Sequence, residues 1–133
     1  MRFAALLAVP LIIGAAQAQE QVFLFDALRA HTYRAAWDKL MKDVQPTPDW
    51  LMQFNKNFDG VASQLVPITI EGKPYELAYV CKPADCASRK FETLFEAGGA
   101  RAYGALGGRD DPPAFYGDPA PALQATLAKA FKG

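Results

Sequence analysis

Between residues 65 and 116 the chain runs through five apolar, β-prone stretches whose breaks are too short to hold a helix. The stretches are 65–71, 73–80, 89–95, 100–106 and the short 114–116. Parallel neighbours need a crossover of a dozen or more residues, so consecutive strands this close must pair antiparallel. Glu71-Gly72-Lys73 is a glycine-centred break of the kind that closes a hairpin. Ala97-Gly98-Gly99 and Gly107-Gly108 supply later turns, and 110–113 reads as a loop. These glycines lack the spacing and the strand-to-helix context of a phosphate loop.

Helical periodicity appears on either side of the strands. After a short extended stretch at 22–25, Tyr33, Trp37, Leu40, Met41 and Val44 fall at i, i+4, i+7, i+8 and i+11. That spacing is one apolar stripe and predicts a helix over 30–44, with Thr32 or Asp26 as its cap. Pro46 and Pro48 end it, and a short helix or turn over 49–54 follows, with Trp50 in the core. At the C-terminus Asp118 reads as an N-cap and Pro119 as the first helical residue, with Leu123, Leu127, Ala130 and Phe131 as the apolar face. The expected fold class is therefore α+β, a central antiparallel sheet of about five strands flanked by N-terminal and C-terminal helices.

The N-terminus reads as an export signal. Arg2 precedes an apolar run over 4–16, interrupted by Pro10 and Gly14, which ends at the small-x-small site Ala16-Gln17-Ala18. The run is shorter than the roughly 18–20 residues of a membrane span, so cleavage after Ala18 is expected, with no membrane insertion afterwards. The remaining 19–133 suits one domain around one core. With 14 basic and 14 acidic residues the chain has no basic excess, which argues against nucleic acid as a partner.

An exported chain meets an oxidising compartment, where its two cysteines, Cys81 and Cys86, favour a disulfide. Two thiols and the single, distant His31 make a poor zinc site, and four intervening residues are not the redox spacing. A bridge across so short a segment constrains little unfolded chain and contributes about 2 kcal/mol by loop entropy. Its stronger effect is local, since it holds Lys82-Pro83-Ala84-Asp85 in one shape and lowers the ordering cost of binding. Two readings stand side by side here: a staple at the end of a hairpin, and a loop preshaped for a protein partner.

Catalysis has little to build on. His31 has no nucleophile at a recognisable spacing, and Asp110-Asp111 reads as a solvated loop. No cofactor is expected.

Cys81-Lys82-Pro83-Ala84-Asp85-Cys86 resembles the signature Cys-Lys-Pro-His-Asp-Cys of the inhibitor of vertebrate lysozyme (Ivy) family. Thr47-Pro48-Asp49-Trp50-Leu51-Met52 and Pro74-Tyr75-Glu76-Leu77 precede it in family order and near family spacing. The resemblance is strong between residues 47 and 96 and weaker beyond. It implies a periplasmic protein of gram-negative bacteria whose loop enters the active-site cleft of C-type lysozyme and so protects peptidoglycan. Some members also restrain the cell's own lytic transglycosylases, and members often form homodimers.

The chain departs from the signature at Ala84, which stands where the family has histidine. An imidazole donates hydrogen bonds to the two carboxylates of a lysozyme cleft, and alanine donates none. Losing such a contact in a desolvated cleft costs about 2–5 kcal/mol. Lys82 offers a cation that is otherwise solvated surface. Asp85 offers an acceptor that is otherwise a turn residue bonding its own backbone amides.

Overall fold

Glu71 and Gly72 both adopt positive φ, 50° and 76°, as a two-residue hairpin whose twist matches its strands requires. They join β2 (Val66–Ile70) to β3 (Lys73–Cys81), and Ile70 pairs with Lys73 across the turn. The computed structural model describes residues 22–132 and Ala5, so the export segment expected at 1–18 lies outside the described residues but for Ala5. No helix among them is long and apolar enough to cross a membrane.

From β3 the sheet continues antiparallel through β4 (Lys90–Glu96), β5 (Ala102–Gly107) and β6 (Ala114–Tyr116). A two-residue strand that the sequence reading did not foresee, β1 (Val61–Ala62), shares the outer edge of β3 with β2 and brings the count to six. The fold is α+β around this antiparallel sheet.

Strand β4 is buried from Phe91 to Phe95, because helices cover both faces of the sheet. Alternation sends Phe91, Thr93 and Phe95 one way and Glu92 and Leu94 the other. The first face packs against α1 (Leu24–Ala27), α2 (His31–Asp43) and α3 (Asp49–Asn57). Trp37 of α2 is fully buried there, edge-on to Phe91 at 5.6 Å, and its indole N–H donates to Asn55 Oδ1 at 2.7 Å. The second face packs Leu94, Tyr103 and Ala105 against Leu123, Leu127 and Phe131 on and just past α4 (Pro121–Ala130). Burying each such aromatic or leucine contributes roughly 1.5–3 kcal/mol.

Four details differ from the sequence reading. Residues 24–27 are helical rather than extended. Helix α2 starts from Ala30 with no side-chain cap, so neither Thr32 nor Asp26 serves. Trp50 is only half-buried, since Leu51 and Phe54 take the inward face of α3. Helix α4 begins at Pro121, not Pro119, with Ala120 at its N-cap. The residue before a proline is pushed out of helical φ/ψ, and Ala120 (ψ 159°) obeys Pro121.

Candidate functional site

The β3–β4 connection is where the sequence concentrates its special residues. Cys81 and Lys90 are paired in register, and the Lys82 N–H donates to Arg89 O at 3.0 Å, closing the loop's neck. Inside it the Asp85 N–H donates to Lys82 O at 3.0 Å, so residues 82–85 form a tight turn. Pro83 at the second position and Ala84 with φ 63° at the third match the type II pattern. The chain then coils back as the Ser88 and Arg89 N–H groups both donate to Asp85 O, at 3.3 and 3.0 Å.

Cys81 and Cys86 form a disulfide, with Cα atoms 4.9 Å apart. The bridge runs from a fully buried sulfur at the strand end to an exposed residue in the loop, fastening the turn to the sheet. Lys82, Pro83 and Ala84 are exposed and Asp85 is half-buried. The Asp85 carboxylate faces the Arg89 guanidinium, Oδ2 to Nε 3.4 Å, and among the described residues no backbone amide donates to it. Both partners are well exposed, so the pair is worth under about 1 kcal/mol. Arg89 is a member of the loop's charge set that the sequence reading passed over, although i,i+4 spacing from Asp85 was the signal for it.

Beneath the loop lies a buried ion pair. Lys90 Nζ is 2.8 Å from Glu92 Oε1, and their side chains are 13% and 2% exposed. The same ammonium sits 4.4 Å from the centroid of the Tyr79 ring and donates to Ala130 O of α4 at 3.4 Å. Burial raises the Glu92 carboxyl above its usual value, and the hydrogen bond and charge of Lys90 oppose that rise. Lys90 therefore ties the strand at the loop's neck to the C-terminal helix.

A second segment touches the loop. The β5–β6 connection carries Arg109, whose N–H donates to Ala87 O at 2.8 Å. A Cβ placed on Gly108 would fall 2.4 Å from Ser88 O, so only glycine allows the two connections to lie this close. Tyr79, Cys86, Ala87, Lys90, Arg109 and Phe131 enclose a recess of about 290 Å³ between them.

The remaining candidates are not gathered here. His31 is exposed at the start of α2, and Asp110 and Asp111 are exposed in the β5–β6 loop. Among the described residues no group of three His, Cys, Asp or Glu could hold a metal ion. A wider recess of about 610 Å³ opens between α2 and the β5–β6 edge, lined by Lys39, Asp43, Arg101 and Gly117 among others. Its Asp43 carboxylate already accepts the Gly117 N–H at 2.8 Å, and none of the loop's residues lines it.

Comparison with known proteins adds to this picture. The family model described as "Inhibitor of vertebrate lysozyme (Ivy)" matches residues 32–133. A Pseudomonas aeruginosa protein named "Inhibitor of vertebrate lysozyme" is 31% identical over 141 aligned positions, covering 96% of this chain and 90% of its own. An uncharacterised protein of the same organism is 31% identical over 72 positions, covering 54% of this chain and 44% of its own. The match extends from α2 through every strand to the C-terminal helix and includes the closed β3–β4 loop, so the chain belongs to the inhibitor of vertebrate lysozyme (Ivy) family.

Proposed function

We propose that this protein is a periplasmic inhibitor that presents residues 82–85 to the active-site cleft of C-type lysozyme. The supporting observation is the disulfide-fastened type II turn, whose exposed residues are held by three backbone hydrogen bonds onto Lys82 O and Asp85 O. A turn fixed before binding avoids the ordering cost that a free loop incurs, about 0.5–1.5 kcal/mol for each immobilised side chain. The name of the Pseudomonas aeruginosa relative supports lysozyme as the kind of partner. The apolar segment ahead of Ala18 and the disulfide support an exported, oxidising location.

Ala84 carries the alternative. It occupies the third position of the turn with a methyl group alone, and a cleft holding two carboxylates gains no donor from it. The expected loss is about 2–5 kcal/mol, a factor of roughly thirty to several thousand in affinity. The second reading keeps the scaffold and aims it at another partner, such as a lytic transglycosylase.

Titration of hen egg-white lysozyme with the mature protein, wild type beside Ala84→His, separates these. Inhibition by wild type supports the first reading without the imidazole. Inhibition only after Ala84→His supports an inhibitor scaffold with another natural target. Silence from both proteins removes lysozyme as the partner.

A further inference from the structure

We propose that Arg109, on the β5–β6 loop, is a second partner-contacting residue and supplies an acidic cleft with the cation that position 84 lacks. This rests on the reading of the 82–85 turn as the surface that meets lysozyme.

Three observations place Arg109 at that surface. Its backbone N–H is bonded to Ala87 O at 2.8 Å, which fixes its Cα against the disulfide-closed loop rather than leaving it on a free segment. Gly108, the residue before it, is buried against Ser88 with no space for a Cβ. Gly108 is not among the residues of positive φ, so its conformation alone does not call for glycine, and close approach is what the position uses. The Arg109 side chain is exposed and lines the recess beside Cys86 and Lys90.

The neighbouring charges make it available. Lys90 is held by Glu92 and Arg89 faces Asp85 in a weak, exposed pair, whereas Arg109 has no ion-pair partner within 4.0 Å among the described residues. Lys82 is likewise unpaired, but it stands on the turn as a strongly hydrated point charge on a flexible stem. A guanidinium is less strongly hydrated and meets a carboxylate through two parallel N–H donors, which suits a cleft that sheds its water on binding. Asp110 and Asp111 follow on the same loop and are exposed, and salt screens them from partner carboxylates farther away than a Debye length of about 8–10 Å. Arg109 thus stands beside the turn, carried by a separate segment, and gives the interface a second point of attachment.

The test measures hen egg-white lysozyme binding by calorimetry for wild type, Ala84→His, and each of these combined with Arg109→Ala. In whichever parent binds, Arg109→Ala is expected to weaken affinity about tenfold to a hundredfold. It should also flatten the salt dependence and leave the melting temperature unchanged. Arg109→Lys, which keeps the charge and loses the fork, should fall between. Affinity unchanged within about twofold, in a parent that binds, overturns the role of Arg109 and leaves the 82–85 reading intact. No binding by any of the four proteins overturns the lysozyme reading, and the partner assigned to Arg109 falls with it.

Discussion

Lys90 and Glu92 stand two residues apart on one face of β4 and form an ion pair at 2.8 Å beneath the disulfide-closed loop, nearly out of reach of water. Separating them leaves a charge buried without its partner, and loss of one member of such a pair costs about 3–5 kcal/mol. Lys90→Met is expected to destabilise the protein by that amount at neutral pH, and Lys90→Met with Glu92→Leu to recover most of it. The pH dependence follows from the sign of the shift. Glu92 is raised above its unfolded value of 4.5, chiefly by burial, so its favourable contribution is complete below that value and fades as pH rises through the folded one. Without Lys90 the carboxyl rises further, and the Lys90→Met deficit must shrink as pH falls from 7 toward 5. Urea unfolding at both pH values reads this, and a deficit that grows on acidification contradicts it.

The backbone at Ala84 makes its own prediction. Its φ of 63° lies in the left-handed region, which costs an L-residue about 1–2 kcal/mol. Ala84→Gly relieves that cost and gives back about 0.4–1 kcal/mol through the freer unfolded chain, for a net gain between zero and about 1.6 kcal/mol. Ala84→Val, β-branched at positive φ, should lose more than about 1 kcal/mol. Histidine tolerates this region better than most residues, so Ala84→His should fold as well as wild type. Melting temperatures of the three variants decide the matter.

Removing the disulfide should separate stability from function. Closing so short a segment contributes about 2 kcal/mol to global stability, and Cys81→Ala with Cys86→Ala, which puts no hydroxyl at the buried Cys81 position, should lower the unfolding free energy by about that much. The hydrogen bonds onto Lys82 O and Asp85 O lose their covalent fastening, so affinity for the partner should fall by a larger factor than stability implies. Equal proportional losses in chemical denaturation and in binding would make the bridge a staple only.

The strands and their order were legible because alternation and glycine breaks are local signals, and 114–116 matches β6 residue for residue. What escaped the sequence depends on contacts between distant segments. Helix α4 offered two prolines at 119 and 121, each a plausible first residue, and only the effect of Pro121 on Ala120 decides between them. Trp50 looked like core by size, yet α3 turns Leu51 and Phe54 inward. In the loop, the cysteines, Pro83 and the anomaly at Ala84 were all visible. The companionship of Gly108 and Arg109 was not, since their approach to Ser88 and Ala87 is made across the sheet end by a different connection. The Lys-x-Glu pair at 90 and 92 was on the page of the sequence, but a charged pair inside a strand reads as a solvated face until the second layer of helix is known to cover it.

At the far end of the β3–β4 pair, Tyr33 of α2 donates its hydroxyl to Glu76 Oε1 at 2.5 Å, and the same oxygen accepts the Gly98 N–H at 3.4 Å. Burial, then the hydrogen bond and the charge of Glu76, hold the Tyr33 phenol up at about 12, against 10.0 when free. Because the folded value is the higher one, this contact stabilises the fold fully below about pH 10, and the contribution is lost as pH rises through 12. Absorbance titration at 295 nm should show the Tyr33 step at about 12, beside a Tyr103 step that burial and the hydrogen bond to Glu96 also raise. Tyr33→Phe should remove the step at about 12 and leave that of Tyr103, and Glu76→Gln should lower the Tyr33 step by deleting the carboxylate's charge, while burial still holds it above 10. Because Tyr33 and the 82–85 turn lie at opposite ends of the same strand pair, neither substitution should change lysozyme binding. A titration in which Glu76→Gln leaves the Tyr33 step untouched would locate the cause in burial alone.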